Sequence, residues 1–335
     1  MSSDPISFGK RISEKAIAAQ FAPVALTPPG YPSLACRVTV PKSAARAAEA
    51  NPPAVRKNQL SAVAGFLITP EVQLQIHATI LEFEVLLADW LRLEVERRGG
   101  KVDTVQAAHD ANGQVIHANT LGPGTFKGRF AARSNGPHVI LLAGQRPAEA
   151  QAGLVETLGL AAASLELAAP LGQPLIESTA TYHDPKARFK FVYPKSWVAR
   201  TMAPPSASID AVEVKIASRN ETVAYLRVHS DTSMPGAADG QEKIKQQLLD
   251  QLKRAGIEVS NLKALAPFPE KPGLARFAGP AKLSKGAGRV AFALQSDKER
   301  WMAVLMVSPA RQKNAQSWMR ARRAFQMVCA SLSTA

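Results

Sequence analysis

The chain has 335 residues, 46% of them apolar, and a formal net charge of +14. That length suits two domains of ordinary size; no apolar run approaches the roughly 18 residues of a transmembrane helix, and the N-terminal stretch lacks the apolar core of a signal peptide, so a cytoplasmic protein is expected. The charge is uneven: residues 1–172 hold 16 Lys and Arg against 14 Asp and Glu, a net of +2, whereas residues 173–335 hold 25 against 13, a net of +12.

Residues 1–28 read as an N-terminal arm, with Ile12, Ala16, Ala19 and Phe21 on one weak apolar face of a short helix closed by Pro23. A first domain, 29–172, opens with a strand at 34–40, followed by a loop at 44–58 rich in Ala, Pro and charge. Strands at 62–68 and 72–77 precede a helix that places Leu87, Leu91 and Val95 at i, i+4, i+8. Gly99-Gly100 ends that helix, as a C-terminal glycine does. Segments near 114–119, 126–132 and 139–143 alternate like meander strands. A helix near 148–167 carries Leu154, Leu158, Ala161 and Leu165, and the prolines of 168–176 mark a linker.

A second domain, 173–335, repeats the order. Its opening strand, 190–193, is followed by a loop at 201–208 and strands at 212–216 and 223–229. Asp239 and Glu242 have capping-box spacing ahead of a helix with Ile244, Leu248 and Leu252, and Gly256 ends it. Strands near 273–277, 288–294 and 301–307 lead to a last helix with Trp318, Ala321, Phe325, Val328 and Leu332 on one face. The two halves share landmarks in register. Lys190–Ser196 echoes Arg37–Ser43, His229 echoes His77, Gly256 echoes Gly99, Gly288-Arg289 echoes Gly128-Arg129, and Ser331-Leu332 echoes Ser164-Leu165. The fold is therefore predicted to be written twice.

The aromatic strand running into a proline and a tryptophan, Phe189-Lys190-Phe191-Val192-Tyr193-Pro194-Lys195-Ser196-Trp197, and the closing helix ending in Ser331-Leu332 resemble the PsbP-like superfamily. That group includes DcrB-type bacterial proteins and a eukaryotic Ran-binding import factor. The first half carries the resemblance through the internal repeat, with Ala44 where the tryptophan is expected. The resemblance implies an α+β protein of two tandem α/β/α sandwich domains, each a mainly antiparallel sheet covered by helices. It also implies a non-catalytic binding or assembly role. The Eag-type chaperones of type VI secretion, cytoplasmic bacterial proteins that hold hydrophobic effector segments, are a related branch. They are usually single domains that dimerise, and a tandem copy departs from that.

Catalytic and metal chemistry finds little footing in the residues. His77 and His229 sit at equivalent strand ends without HExxH, CxxC or clustered His/Asp spacing. His109, Asp110 and His117 flank Asn112-Gly113, a hairpin signal. Cys36 and Cys329 read as small buried hydrophobes, and no GxSxG elbow is present. Gly122-Pro123-Gly124-Thr125-Phe126-Lys127-Gly128 precedes a strand and reads as a hairpin, not a phosphate loop. No enzyme activity, cofactor or metal is expected. The reading is a protein-binding adaptor or chaperone for a secreted or membrane-destined client, such as a type VI secretion effector. Leu86, Trp90 and Leu93 are the candidate partner contacts, because the helix around them is apolar over more than one stripe. Trp197, Trp318 and Phe325 are assigned to the core. The alternative is a nucleic-acid or anionic-surface binder using Lys313, Arg320 and Arg323 opposite the Trp318/Phe325 stripe. A small-molecule site between the domains is a third class.

Overall fold

The computed structural model describes residues 12–47, 54–110, 113–122, 126–168, 175–202, 212–218, 224–231, 240–296 and 300–334. The protein is α+β, and the chain divides into two compact units. One comprises Met1–Phe83 with Leu87–Ile176, the other Glu84–Leu86 with Glu177–Ala335. Among the described residues no helix is long and apolar enough to cross a membrane.

In the first unit, α1 (Glu14–Gln20), capped by the Ser13 side chain, leads directly into β1 (Phe21–Leu26), which pairs antiparallel with β2 (Cys36–Pro41). The main sheet is built from β3 (Ala45–Ala47), β4 (Ser61–Thr69), β5 (Val72–Ile80), then, after α2 (Leu87–Arg97), β6 (Lys101–Asp110), β7 (Gly113–Leu121), β8 (Phe126–Asn135) and β9 (His138–Pro147). Its spatial order is β3-β4-β5-β9-β8-β7-β6, all antiparallel. α3 (Ala152–Ala163) and the short β10 (Glu166–Leu167), which joins β2, complete the unit. Strand alternation divides the core. Leu74, Ile76, Ile140 and Leu142 pack with Leu158 and Ala161 of α3 and with Leu34, Cys36 and Val38. α2 covers β6, β7 and β8.

The second unit follows the same plan. β11 (Thr179–His183) pairs with β12 (Phe189–Pro194). The main sheet comprises β13 (Trp197–Met202), β14 (Val212–Ser218), β15 (Tyr225–Asp231), then, after α4 (Gly240–Arg254), β16 (Glu258–Val259), β17 (Lys263–Leu265), β18 (Ala275–Leu283), β19 (Gly286–Ser296) and β20 (Trp301–Pro309). They lie in the order β13-β14-β15-β20-β19-β18-β16, with β17 also on β18. α5 (Ala315–Ser331) and β21 (Ser333–Thr334), paired to β12, close the chain. β20 is buried along its whole length because a helix layer covers each face. Met302, Val304 and Met306 face Phe325 and Val328 of α5, while Trp301, Ala303, Leu305 and Val307 face Ile244, Leu248 and Leu252 of α4.

The same hydrogen bonds recur at equivalent positions of the two units. The Ser164 hydroxyl at the end of α3 accepts from the Thr39 amide at 2.8 Å, and the Ser331 hydroxyl at the end of α5 accepts from the Val192 amide at 2.8 Å. Three positions past Ser164 and Ser331, the chain has entered a short strand on the same partner. Leu167 pairs with Cys36 and Glu166 with Arg37, as Thr334 pairs with Phe189 and Ser333 with Lys190. Gly99 (φ 75) and Gly256 (φ 74) end α2 and α4 alike. Each stands in the left-handed region that glycine occupies without strain, and the following amides, of Gly100 and Ile257, bond back to Val95 and Leu252.

Several local expectations change. The N-terminal stretch is not only an arm, because Phe21–Leu26 is an edge strand on which Pro23 is tolerated. The 44–58 loop contains β3, and Thr201 and Met202 belong to β13 rather than to the loop expected from 201. β6, unassigned from sequence, pairs along all of β7. Asp239, the expected cap of α4, lies outside the described residues, as do Asn112 and Pro123–Thr125 of the two hairpin tips.

Candidate interaction surfaces

The apolar character of α2 is used largely inward. Trp90 is only 5% exposed and joins Leu87, Leu91 and Val95 on a buried face wider than the predicted stripe. It is therefore not the exposed contact expected from sequence. Leu93 is half-buried, and Leu86, also half-buried, precedes the helix and is counted with the second unit.

The three cations proposed for anion binding do not form a stripe. Lys313 is exposed in the turn before α5. Arg320 is 3% exposed and donates from its guanidinium to the Ser218 hydroxyl on β14 at 2.9 Å. Arg323 donates from Nε to Glu84 Oε2 at 2.9 Å, and that carboxylate is itself buried. The physical reason is the breadth of the buried face of α5: Arg320 lies at its flank, beside Ser317 and Ala321, rather than opposite it. Trp197 and Phe325 stand in the core, and Trp318 is buried beneath the guanidinium groups of Arg311 and Arg322.

The other chemical candidates are placed as follows where they are described. Both cysteines are free and wholly buried; burial pushes the Cys36 thiol up to about 12 and raises that of Cys329 as well. His77 and His229 occupy matching positions on β5 and β15, one in each unit. Burial, with Arg98 adding to it, lowers His77 to about 4. His117 is likewise lowered to about 4, by burial first and then by Arg129 and Arg133. The side chains of His109 and Asp110 lie outside the described residues. Among the described residues no group of His, Cys, Asp and Glu is placed to hold a metal.

A different cationic feature emerges from sheet register. Arg200 on β13 pairs with Lys215 on β14, and Lys215 pairs with Arg227 on β15. Directly paired residues share a face, and the row continues to Leu305, which packs with α4. The three cations therefore lie on the α4 side of the sheet, beside that helix, which itself packs against β16 and β20. At the usual strand spacing they extend over about 10 Å. Arg227 meets Glu213 at 3.1 Å, and Lys215 and Arg227 stand 5.1 and 5.4 Å from the centre of the Tyr225 ring. Burial raises the Tyr225 phenol pKa, with Arg227 opposing and Glu213 adding to the shift. Arg200 is exposed, as is Met202 two residues on. The matching row of the first unit is Ala47, Gly65 and Gln75. Alternating charge in Val-Glu-Val-Lys-Ile and Leu-Arg-Val was the only sequence signal, and it did not show that the three residues meet.

No protein-family model and no curated protein matches the chain. Among solved structures, it is similar to the cyanobacterial PsbP, CyanoP, from Synechocystis sp. PCC 6803. The identity is 15%, over 48% of this chain and 94% of that one, with a TM-score of 0.34. It is also similar to the type VI secretion immunity protein TplEi from Pseudomonas aeruginosa complexed with "L" peptide, at 12% identity, 89% and 95% coverage, and a TM-score of 0.25. The Tle4–Tli4 complex matches at 11% identity, 89% and 94% coverage, and a TM-score of 0.25. At these scores the likeness is a distant one of fold.

Proposed function

We propose that this chain is a non-enzymatic, cytoplasmic adaptor or chaperone that binds another protein, a secreted or membrane-destined client of the type VI secretion effector kind. The observation that supports this reading most directly is the half-covered sheet face of each unit. α2 lies over β6–β8, and the same face at β4 and β5 presents Leu67, Gln73 and Gln75 to solvent. In the second unit the corresponding area presents Arg200 and Met202 beside the partly buried Lys215, Tyr225 and Arg227. A broad sheet surface beside a helix suits a polypeptide segment, whereas small ligands are held in concave, mostly apolar pockets. The nucleic-acid alternative is weakened by the burial of Arg320 and the pairing of Arg323 with Glu84.

The test is affinity purification of the tagged full-length protein from its own cells, washed at low and at high salt. Mass spectrometry and nucleic-acid staining are applied to the same eluate. The expected result is one client protein with a hydrophobic export or membrane segment, retained through high salt and insoluble when this chain is deleted. Recovery of nucleic acid alone, released by salt, or of no client at all, overturns the reading.

A further inference from the structure

We infer that the Arg200–Lys215–Arg227 row is a docking site for an acidic segment of a partner polypeptide, a segment with carboxylates at helical three- or four-residue spacing. This rests on the protein-binding reading above and assigns that role to one face of one unit.

Three observations carry the assignment. Like charges in directly opposed cross-strand positions destabilise a sheet, yet Arg200 faces Lys215 and Lys215 faces Arg227. Within the row only Arg227 has a carboxylate partner, Glu213; among the described residues none pairs with Arg200 or Lys215. The first unit then supplies an internal control. Its three matching positions are Ala47, Gly65 and Gln75, joined by the same pairings in the same sheet order. The fold is made without the cations, so their presence in the second copy is not a folding requirement. They also form part of the excess that gives residues 173–335 a net of +12 against +2 for residues 1–172.

The chemistry of the surroundings favours polypeptide over nucleic acid. Tyr225 is already engaged by Lys215 and Arg227 and offers no free ring for base stacking. Cations about 5 Å apart across neighbouring strands match the 5–6 Å between side chains three or four apart on a helix. The row lies beside α4, where a second helix can rest on the same sheet face, and exposed Met202 supplies an apolar contact at its end. Guanidinium groups also receive carboxylates in bidentate geometry.

The probe is a synthetic helical peptide with glutamates at three- and four-residue intervals, compared with the same peptide carrying glutamine in their place. Binding to the full-length protein is followed by fluorescence anisotropy at two salt concentrations, with a single-stranded oligonucleotide as competitor. The glutamate peptide should bind in a salt-dependent way, the glutamine peptide should not, and the oligonucleotide should not displace it. The R200Q/K215Q variant, which leaves the Arg227–Glu213 pair intact, should bind about five- to tenfold more weakly. Arg200→Ala, which installs the residue of the first repeat, is the milder second variant and should weaken binding in the same direction. Equal affinity of both peptides, unchanged affinity of both variants, or displacement by the oligonucleotide overturns the assignment. The two readings separate in the purification experiment. A client retained at low salt by R200Q/K215Q as firmly as by the wild-type chain overturns this site and leaves protein binding standing, whereas no client on the wild-type chain at either salt overturns protein binding itself.

Discussion

Arg323 donates to a carboxylate that is almost wholly enclosed, and replacing it removes a charge-assisted hydrogen bond from Glu84. Hydrogen bonds to charged groups contribute about 1.5–3 kcal/mol, so Arg323→Ala should lower the stability of the second unit by about that much. Lys313 is exposed, and Lys313→Ala should change stability by no more than about 0.5 kcal/mol. Urea unfolding of the two variants checks the contrast, and equal effects would mean that the Glu84 contact contributes nothing. Arg320, bonded to Ser218, belongs with Arg323 as a structural cation. Net charge along α5 is therefore a poor guide to what its arginines do.

At the scale of elements, β5 and β7 each hold a half-buried histidine. His77 and His117 are both lowered from 6.5 to about 4, by burial first. Between those values the unfolded chain binds protons that the folded chain refuses. The stabilising contribution of neutral His77 and His117 is complete above about pH 6.5 and is lost progressively as pH falls through about 4. Glu94 on α2, raised mainly by burial against the opposing pull of Arg97 and Arg98, acts in the opposite sense where it titrates. The urea midpoint of the first unit should fall on acidification from pH 7 to pH 4, and His77→Gln should flatten that slope; an unchanged slope would sink the account for His77. The same elements show what alternation can tell. β20 reads as apolar throughout because both its faces are covered, and β5 alternates because only one is, with Gln73 and Gln75 left in water.

At the scale of the whole molecule, two units with separate cores and one shared plan predict separable folding. Fragments ending and beginning at Ile176/Glu177 should each give a cooperative melt and a protease-resistant core. The second fragment should melt lower than the same unit in the intact chain, because the cut leaves Glu84 and its bond to Arg323 on the other piece. If neither fragment folds, the two units are not independent domains. Duplication also explains how one copy can diverge while the plan persists. The serine at the end of the last helix and the glycine after the middle helix recur in both units, whereas the β13–β15 row and its counterpart on β3–β5 share no charge.

The sequence alone determined the features that depend on neighbours close in the chain. Helical spacing placed Leu87, Leu91 and Val95, glycines marked Gly99 and Gly256 as helix ends, and the echo of Arg37–Ser43 in Lys190–Ser196 disclosed the repeat. It did not reveal β1, β3 or β6, which are edge strands whose existence depends on a partner's backbone more than on their own alternation. Nor did it separate Arg320, buried on Ser218, from Lys313 in water, since both project from the same few turns of chain. Arg200, Lys215 and Arg227 lie 15 and 12 positions apart, and nothing local relates them. Only the antiparallel register of β13, β14 and β15 sets them in one row, because which side chains face each other across a sheet is fixed by pairing between strands and not by pattern within them.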